Sequence, residues 1–75
     1  MNVYRKLRKL RGLSQEKAAQ LLGVSVLTWR MWEKNKVAPS SMGVDKIVAG
    51  FRDELEQLKP LWYISYKRNH SAQPV

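Results

Sequence analysis

Cysteine is absent from the 75 residues of this chain, and histidine occurs once, at position 70. Disulfides are thereby excluded, and neither a zinc ribbon nor a Cys/His catalytic pair can be built. His70 stands in a polar stretch far from any carboxylate that would orient it and reads as a bystander. Long apolar runs are also missing. No segment approaches the length that crosses a bilayer, and the N-terminus lacks the apolar core of a signal peptide. A cytoplasmic protein with no membrane partner is expected. Acids are few, six against fourteen Lys and Arg. They do not fall at metal-ligand spacing, and the four glycines form no phosphate-cradling loop. The chain therefore lacks the convergent nucleophile, base and oxyanion donors of an enzyme. No catalytic residue, metal or cofactor is assigned.

What the chain does have is positive charge, unevenly placed. Residues 1–36 hold nine Lys or Arg against Glu16 and Glu33 alone, a net +7, while the remainder carries +1. Such a basic half attracts phosphates through coulombic steering and counterion release. Similar charge occurs in ribosomal, membrane-surface and merely well-solvated proteins, so the local pattern has to decide. The length allows one small domain, near the lower limit at which an apolar core alone sustains a fold, and oligomerisation would help it.

The deciding pattern is QEKAAQLLGVSVLTWRMWEK, residues 15–34, which reads as two short helices meeting at a glycine corner. Ala19 is small where crossing helices touch, and Gly23 permits the positive φ that ends the first of them. Ala18, Leu22, Val24, Trp29 and Trp32 form a shared apolar face, with Gln15, Lys17, Gln20, Arg30 and Lys34 polar between them. Ser14 and Ser25 stand just ahead of the two stretches, where a hydroxyl accepts from a first-turn N–H.

Ahead of the pair, Val3, Leu7 and Leu10 share one helical stripe within residues 2–11, ringed by Arg5, Lys6, Arg8, Lys9 and Arg11 and stopped by Gly12. That stripe is too narrow for a membrane-surface helix and is needed for the core. Leu13 tucks into the same core. Residues 34–40 read as a loop, with Asn35 suited to a left-handed cap and Pro39 to a helix break. Val44, Ile47, Val48, Phe51, Leu55 and Leu58 recur at three- and four-residue steps. They predict an amphipathic helix starting after Ser40 or Ser41, or two shorter helices broken near Gly50. Pro60 ends it. Residues 61–66, LWYISY, are aromatic and β-branched without clear helical spacing, which fits a short strand. Residues 67–75 are polar without acids and are expected to be disordered.

The run RKLRGLSQEKAAQLLGVS, with Glu33 closing the second helix of the pair and Pro39 entering the next, resembles the Xre/Cro/phage-repressor type of helix-turn-helix protein over residues 5–51. TWRMWEKNK followed by a proline is similar to a subset of these repressors found among phage autorepressors, including anti-CRISPR-associated ones. The resemblance implies an all-α, lambda-repressor-like domain of four or five helices over residues 1–58. Residues 59–75 then form a dimerisation segment, as a short strand or extended, and a flexible tail. Asn35 stands where the family usually has glycine. The resemblance also implies that Trp29 and Trp32 are buried, that Arg8 and Glu33 form a structural salt bridge, and that Gln15 bonds a phosphate while bracing the recognition helix.

The face left for DNA runs from Ser25, Val26, Leu27 and Thr28 through Arg30, Met31 and Lys34. Guanine and adenine are read by bidentate Arg, Asn or Gln, whereas apolar side chains recognise the thymine methyl. Arg30 is accordingly assigned to guanine or a flanking phosphate, Val26, Leu27 and Met31 to thymine methyls, and Thr28 to either. Gln15, Lys17, Ser25, Lys34 and Lys36 are assigned to phosphates, aided by the backbone N–H groups at a helix start.

The leading functional reading is a transcriptional repressor that binds an inverted repeat in double-stranded DNA as a homodimer, placing its recognition helix, residues 26–34, in the major groove. Phe51, Leu55, Leu58, Leu61, Trp62 and Ile64 are the candidate dimer contacts. No small-molecule effector is expected, so repression comes from occupying promoter DNA. The alternative is a DNA-binding, antitoxin-like interaction protein whose tail from Pro60 onward wraps a partner protein.

Overall fold

A computed structural model describes residues 2–71, without the side chains of His70 and Ser71. The described residues form six helices and no strand: α1 Val3–Arg11, α2 Gln15–Leu22, α3 Val26–Glu33, α4 Ser41–Gly50, α5 Arg52–Leu58 and α6 Leu61–Ser71. The starts are set by short polar side chains. Asn2, Ser14, Ser25 and Ser40 accept from the first-turn N–H groups of Tyr4, Lys17, Thr28 and Gly43 at 2.8–3.3 Å. Each cap contributes about 1 kcal/mol. The first three helices also stop alike. Gly12, Gly23 and Asn35 take left-handed φ of 73°, 71° and 57°. The next residue's N–H then reaches back five positions, Leu13 to Arg8, Val24 to Ala19 and Lys36 to Met31, each at 3.0 Å. This double closure satisfies carbonyls that a helix end otherwise leaves bare.

The core collects Leu7, Ala18, Ala19, Leu22, Trp29, Trp32, Ile47, Val48, Phe51, Leu55 and Tyr63. Trp29 is fully enclosed at its centre, its ring 5.8 Å from both Trp32 and Phe51 and edge-on to Tyr4 at 6.4 Å. Both tryptophans of α3 thus serve packing, as expected. The long amphipathic segment is two helices, divided at Phe51, whose φ of −119° lies outside the helical range. Beside the break, a Cβ on Gly50 would stand 2.4 Å from Leu22 Cδ2, so the bare backbone lets α2 and α4 approach. Arg11 joins α1 to α5 through a two-pronged ion pair with Glu54, at 3.0 and 2.7 Å, and its guanidinium lies 5.2 Å over the Phe51 ring.

Three expectations for the C-terminal third are corrected. Residues 61–66 are helical, not a strand: Pro60 opens the helix, its carbonyl accepting from Tyr63 and Ile64. Trp62, Tyr63 and Tyr66 then share one face of α6 against the core, so tertiary packing overrides the strand preference of these residue types. Residues 67–71 continue that helix rather than forming a loose tail, and Lys67 donates to Glu56 at 2.8 Å. Residues 72–75 and the His70 side chain lie outside the described residues. Finally, Phe51 and Leu55 are fully buried within a single chain. That part of the stripe is used by the fold and is not available to a second copy. Tyr63 anchors α6; burial and its hydrogen bond to Glu56 push its hydroxyl up to about 12.

Candidate nucleic-acid interface

The corner between α2 and α3 is locked by one carboxylate. Glu33, in the last turn of α3, accepts from Arg8 Nε at 2.6 Å and from Arg8 Nη2 at 3.2 Å. It also accepts from the Trp29 indole N–H and from Gln15 Nε2, the latter at 3.3 Å. Arg8 spends a further N–H on the Leu13 carbonyl at 3.0 Å. One residue therefore joins α1, the start of α2 and the middle of α3 to the end of α3. The Arg8 and Glu33 side chains retain only 13% and 6% of their exposure, so the pair is partly buried and largely shielded from water rather than superficial.

Burial by itself would raise the Glu33 carboxyl, but the bonds from Arg8, Trp29 and Gln15 outweigh it and hold the group below the ordinary glutamate value. The bond to Glu33 also lifts the Arg8 guanidinium. A carboxyl depressed in the folded state binds fewer protons there than in the unfolded chain. Its contribution to stability is complete above the ordinary glutamate value and is lost as pH falls through the lowered one. Urea unfolding followed from neutral pH into the acid range is expected to show this loss. In Glu33→Gln the acid-side slope becomes shallower, and an unchanged slope would assign the acid sensitivity to other carboxylates.

The bracing extends to the exposed side. Gln15 turns its amide nitrogen to Glu33, which leaves its oxygen to accept from Arg30 Nε at 3.1 Å. Arg30 Nη2 donates to Glu16 at 3.3 Å. Gln15 thus braces α3, and its amide is engaged on both sides.

The other residues assigned to DNA differ in how far they are presented. Leu27 is 64% exposed and shares a hollow of about 170 Å³ with Thr28, Met31, Trp32 and Val37. Val26 is half turned into the core, and the Ser25 hydroxyl is occupied as the α3 cap and as donor to Thr28 Oγ1 at 2.8 Å. Lys17, Lys34 and Lys36 are exposed. Sequence reasoning missed Val37, which lines the apolar hollow from the loop, and Glu16, the partner of Arg30. It also missed Asn2, whose amide donates to the Trp32 carbonyl at 3.0 Å and to Asn35 Oδ1 at 2.8 Å and so ties the chain start to the end of α3. None of these pairs has a helical spacing to mark it. Among the described residues no helix is long and apolar enough to cross a membrane, and no acidic or histidine cluster forms a metal site.

Two short helices closed on a left-handed glycine, braced by a third and presenting the outer edge of α3 in a basic half-chain, define a helix-turn-helix DNA-binding domain. A helix-turn-helix family model matches residues 5–52, from α1 to the start of α5. The chain belongs to this family, in its Xre/Cro type, whose members are DNA-binding regulators and generally not enzymes. No curated protein and no solved structure matches it.

Proposed function

We propose that this DNA-binding regulator is a sequence-specific repressor, of the phage or mobile-element autorepressor kind, that occupies an inverted repeat in promoter DNA as a homodimer in the cytoplasm. The observation that carries the reading is the division of α3: Trp29 and Trp32 are buried, while Leu27, Thr28, Arg30 and Met31 remain on the outer side. In this reading residues 1–58 bind DNA, α3 enters the major groove, and Leu27 and Met31, with Val26 at the groove's rim, meet thymine methyls. Arg30 takes guanine. Lys17, Lys34, Lys36 and the α2 start at Gln15, with the Ser25 backbone, follow the phosphates. The dimer contact falls to Leu58 and the outer face of α6, where Leu61 is 84% exposed and Ile64 lies alongside; Trp62, expected there from the sequence, packs on the core side of the helix.

Selection of bound sites from random double-stranded DNA, followed by binding stoichiometry, tests the reading. An inverted repeat holding two chains, with half-sites about one helical turn apart, is expected. Arg30→Ala should then lose about 1–3 kcal/mol at the selected site and relax choice at one base pair per half-site. Binding without an enriched sequence, dependent only on salt, would reject the repressor reading.

A further inference from the structure

We infer that Glu16 is a specificity-determining positioning residue, which together with Gln15 clamps one edge of the Arg30 guanidinium and aims the other edge at a guanine. The inference rests on the proposed reading of DNA by α3. A guanidinium carries its five N–H groups in a fixed fork. Nε and Nη2 point from one edge of the plane, and Nη1 with the second N–H of Nη2 point from its end. In this structure the first edge is taken, Nε by Gln15 at 3.1 Å and Nη2 by Glu16 at 3.3 Å. The end remains, and it has the paired donors that bind guanine O6 and N7 together.

The clamp has a defined polarity. Gln15 presents oxygen to Arg30 because its nitrogen faces Glu33, and Glu33 is held ionised by Arg8. Arg30 is thereby oriented from the buried network on one side and by Glu16 on the other. A long side chain that is already ordered loses less rotamer freedom on meeting a base. Residues 1–36 contain only two acids, and the other, Glu33, is enclosed. Glu16, with 65% of its side-chain surface exposed, is therefore the one carboxylate of that half directed outward. A negative charge there opposes phosphates and so lowers sequence-independent affinity, while its hydrogen bond orients Arg30.

The two roles predict opposite signs. Glu16→Ala should bind the selected operator roughly 3- to 10-fold more weakly, because Arg30 loses its aim. It should bind random-sequence duplex a few-fold more tightly, with a steeper salt dependence, because a repelling charge is gone and Arg30 is released to phosphates. Glu16→Gln keeps an acceptor at the same reach without the charge and should retain more of the operator preference than Glu16→Ala. Equal gains on operator and random duplex, or no change on either, would overturn the inference, as would equal loss of preference in both variants. Arg30→Ala measured alongside separates the two levels. If Arg30→Ala abolishes the guanine preference while Glu16→Ala preserves it, this inference alone falls. If Arg30→Ala leaves the preference intact, the reading beneath it falls as well.

Discussion

Arg8→Ala is expected to lower the unfolding free energy by about 3–5 kcal/mol, the cost of stranding a carboxylate that is largely shielded from water. Three of its donor groups disappear together, two from Glu33 and one from the Leu13 carbonyl. The Glu33 carboxylate, 6% exposed, is left with the Trp29 indole and Gln15 as its donors. For a domain of this size the total stability is of order 5–15 kcal/mol, so a large part of it is at stake. Each 1 kcal/mol lowers the melting temperature by about 4–8 °C. Urea and thermal unfolding by far-ultraviolet circular dichroism would measure the loss. Arg8→Lys retains a positive charge without the planar fork and should fall between parent and alanine variant, which keeps the test informative if Arg8→Ala does not fold. A loss below about 1 kcal/mol would place the pair among solvent-exposed bridges and contradict its role as the lock of the α2–α3 corner.

Phe51→Ala is expected to cost about 3–5 kcal/mol by removing a large buried ring and leaving a cavity. The vacated space lies against Trp29, whose ring is 5.8 Å away, and beneath the Arg11 guanidinium. The decisive feature is how the loss depends on concentration. A residue buried inside one chain lowers stability equally in dilute and concentrated protein, whereas an interface residue shows its effect through association. Leu61→Ser, at the most exposed large apolar residue of α6, should leave the stability of the single chain within about 0.5 kcal/mol while weakening the proposed dimer. Unfolding curves at two concentrations, with sedimentation of both variants, distinguish the cases. If Phe51→Ala shifted only the oligomeric state, the assignment of Phe51 to the core would be wrong. Phe51→Leu, a smaller volume change, provides the same comparison with the fold retained.

The limits of sequence reading fall along a physical line at particular residues. The arrangement of α2 and α3 was legible because caps and left-handed stops operate within a few residues: Ser14, Ser25 and Gly23 act on backbone groups that they nearly adjoin. Trp29 and Trp32 were placed by their position on the helix and by family resemblance. The Arg8–Glu33 bridge came from resemblance alone, since 25 positions of separation leave no periodic trace. Residues 61–66 misled for the same reason that they fold as they do. Their aromatic rings suit a strand in isolation, but in the assembled chain they share a helical face that the core covers.

By itself the sequence determined the charge asymmetry, the starts and stops of the first three helices and which edge of α3 is apolar enough to be buried. These follow from side-chain chemistry and from backbone sterics acting over one or two turns. Only the tertiary structure decided that Phe51 and Leu55 are consumed by the core, that Arg11 meets Glu54 across 43 positions, and that Gln15 and Glu16 face Arg30. Those outcomes depend on the angle at which α2 crosses α3 and on where α4 and α5 close over them. Packing of residues distant along the chain sets that geometry, and no local interval encodes it.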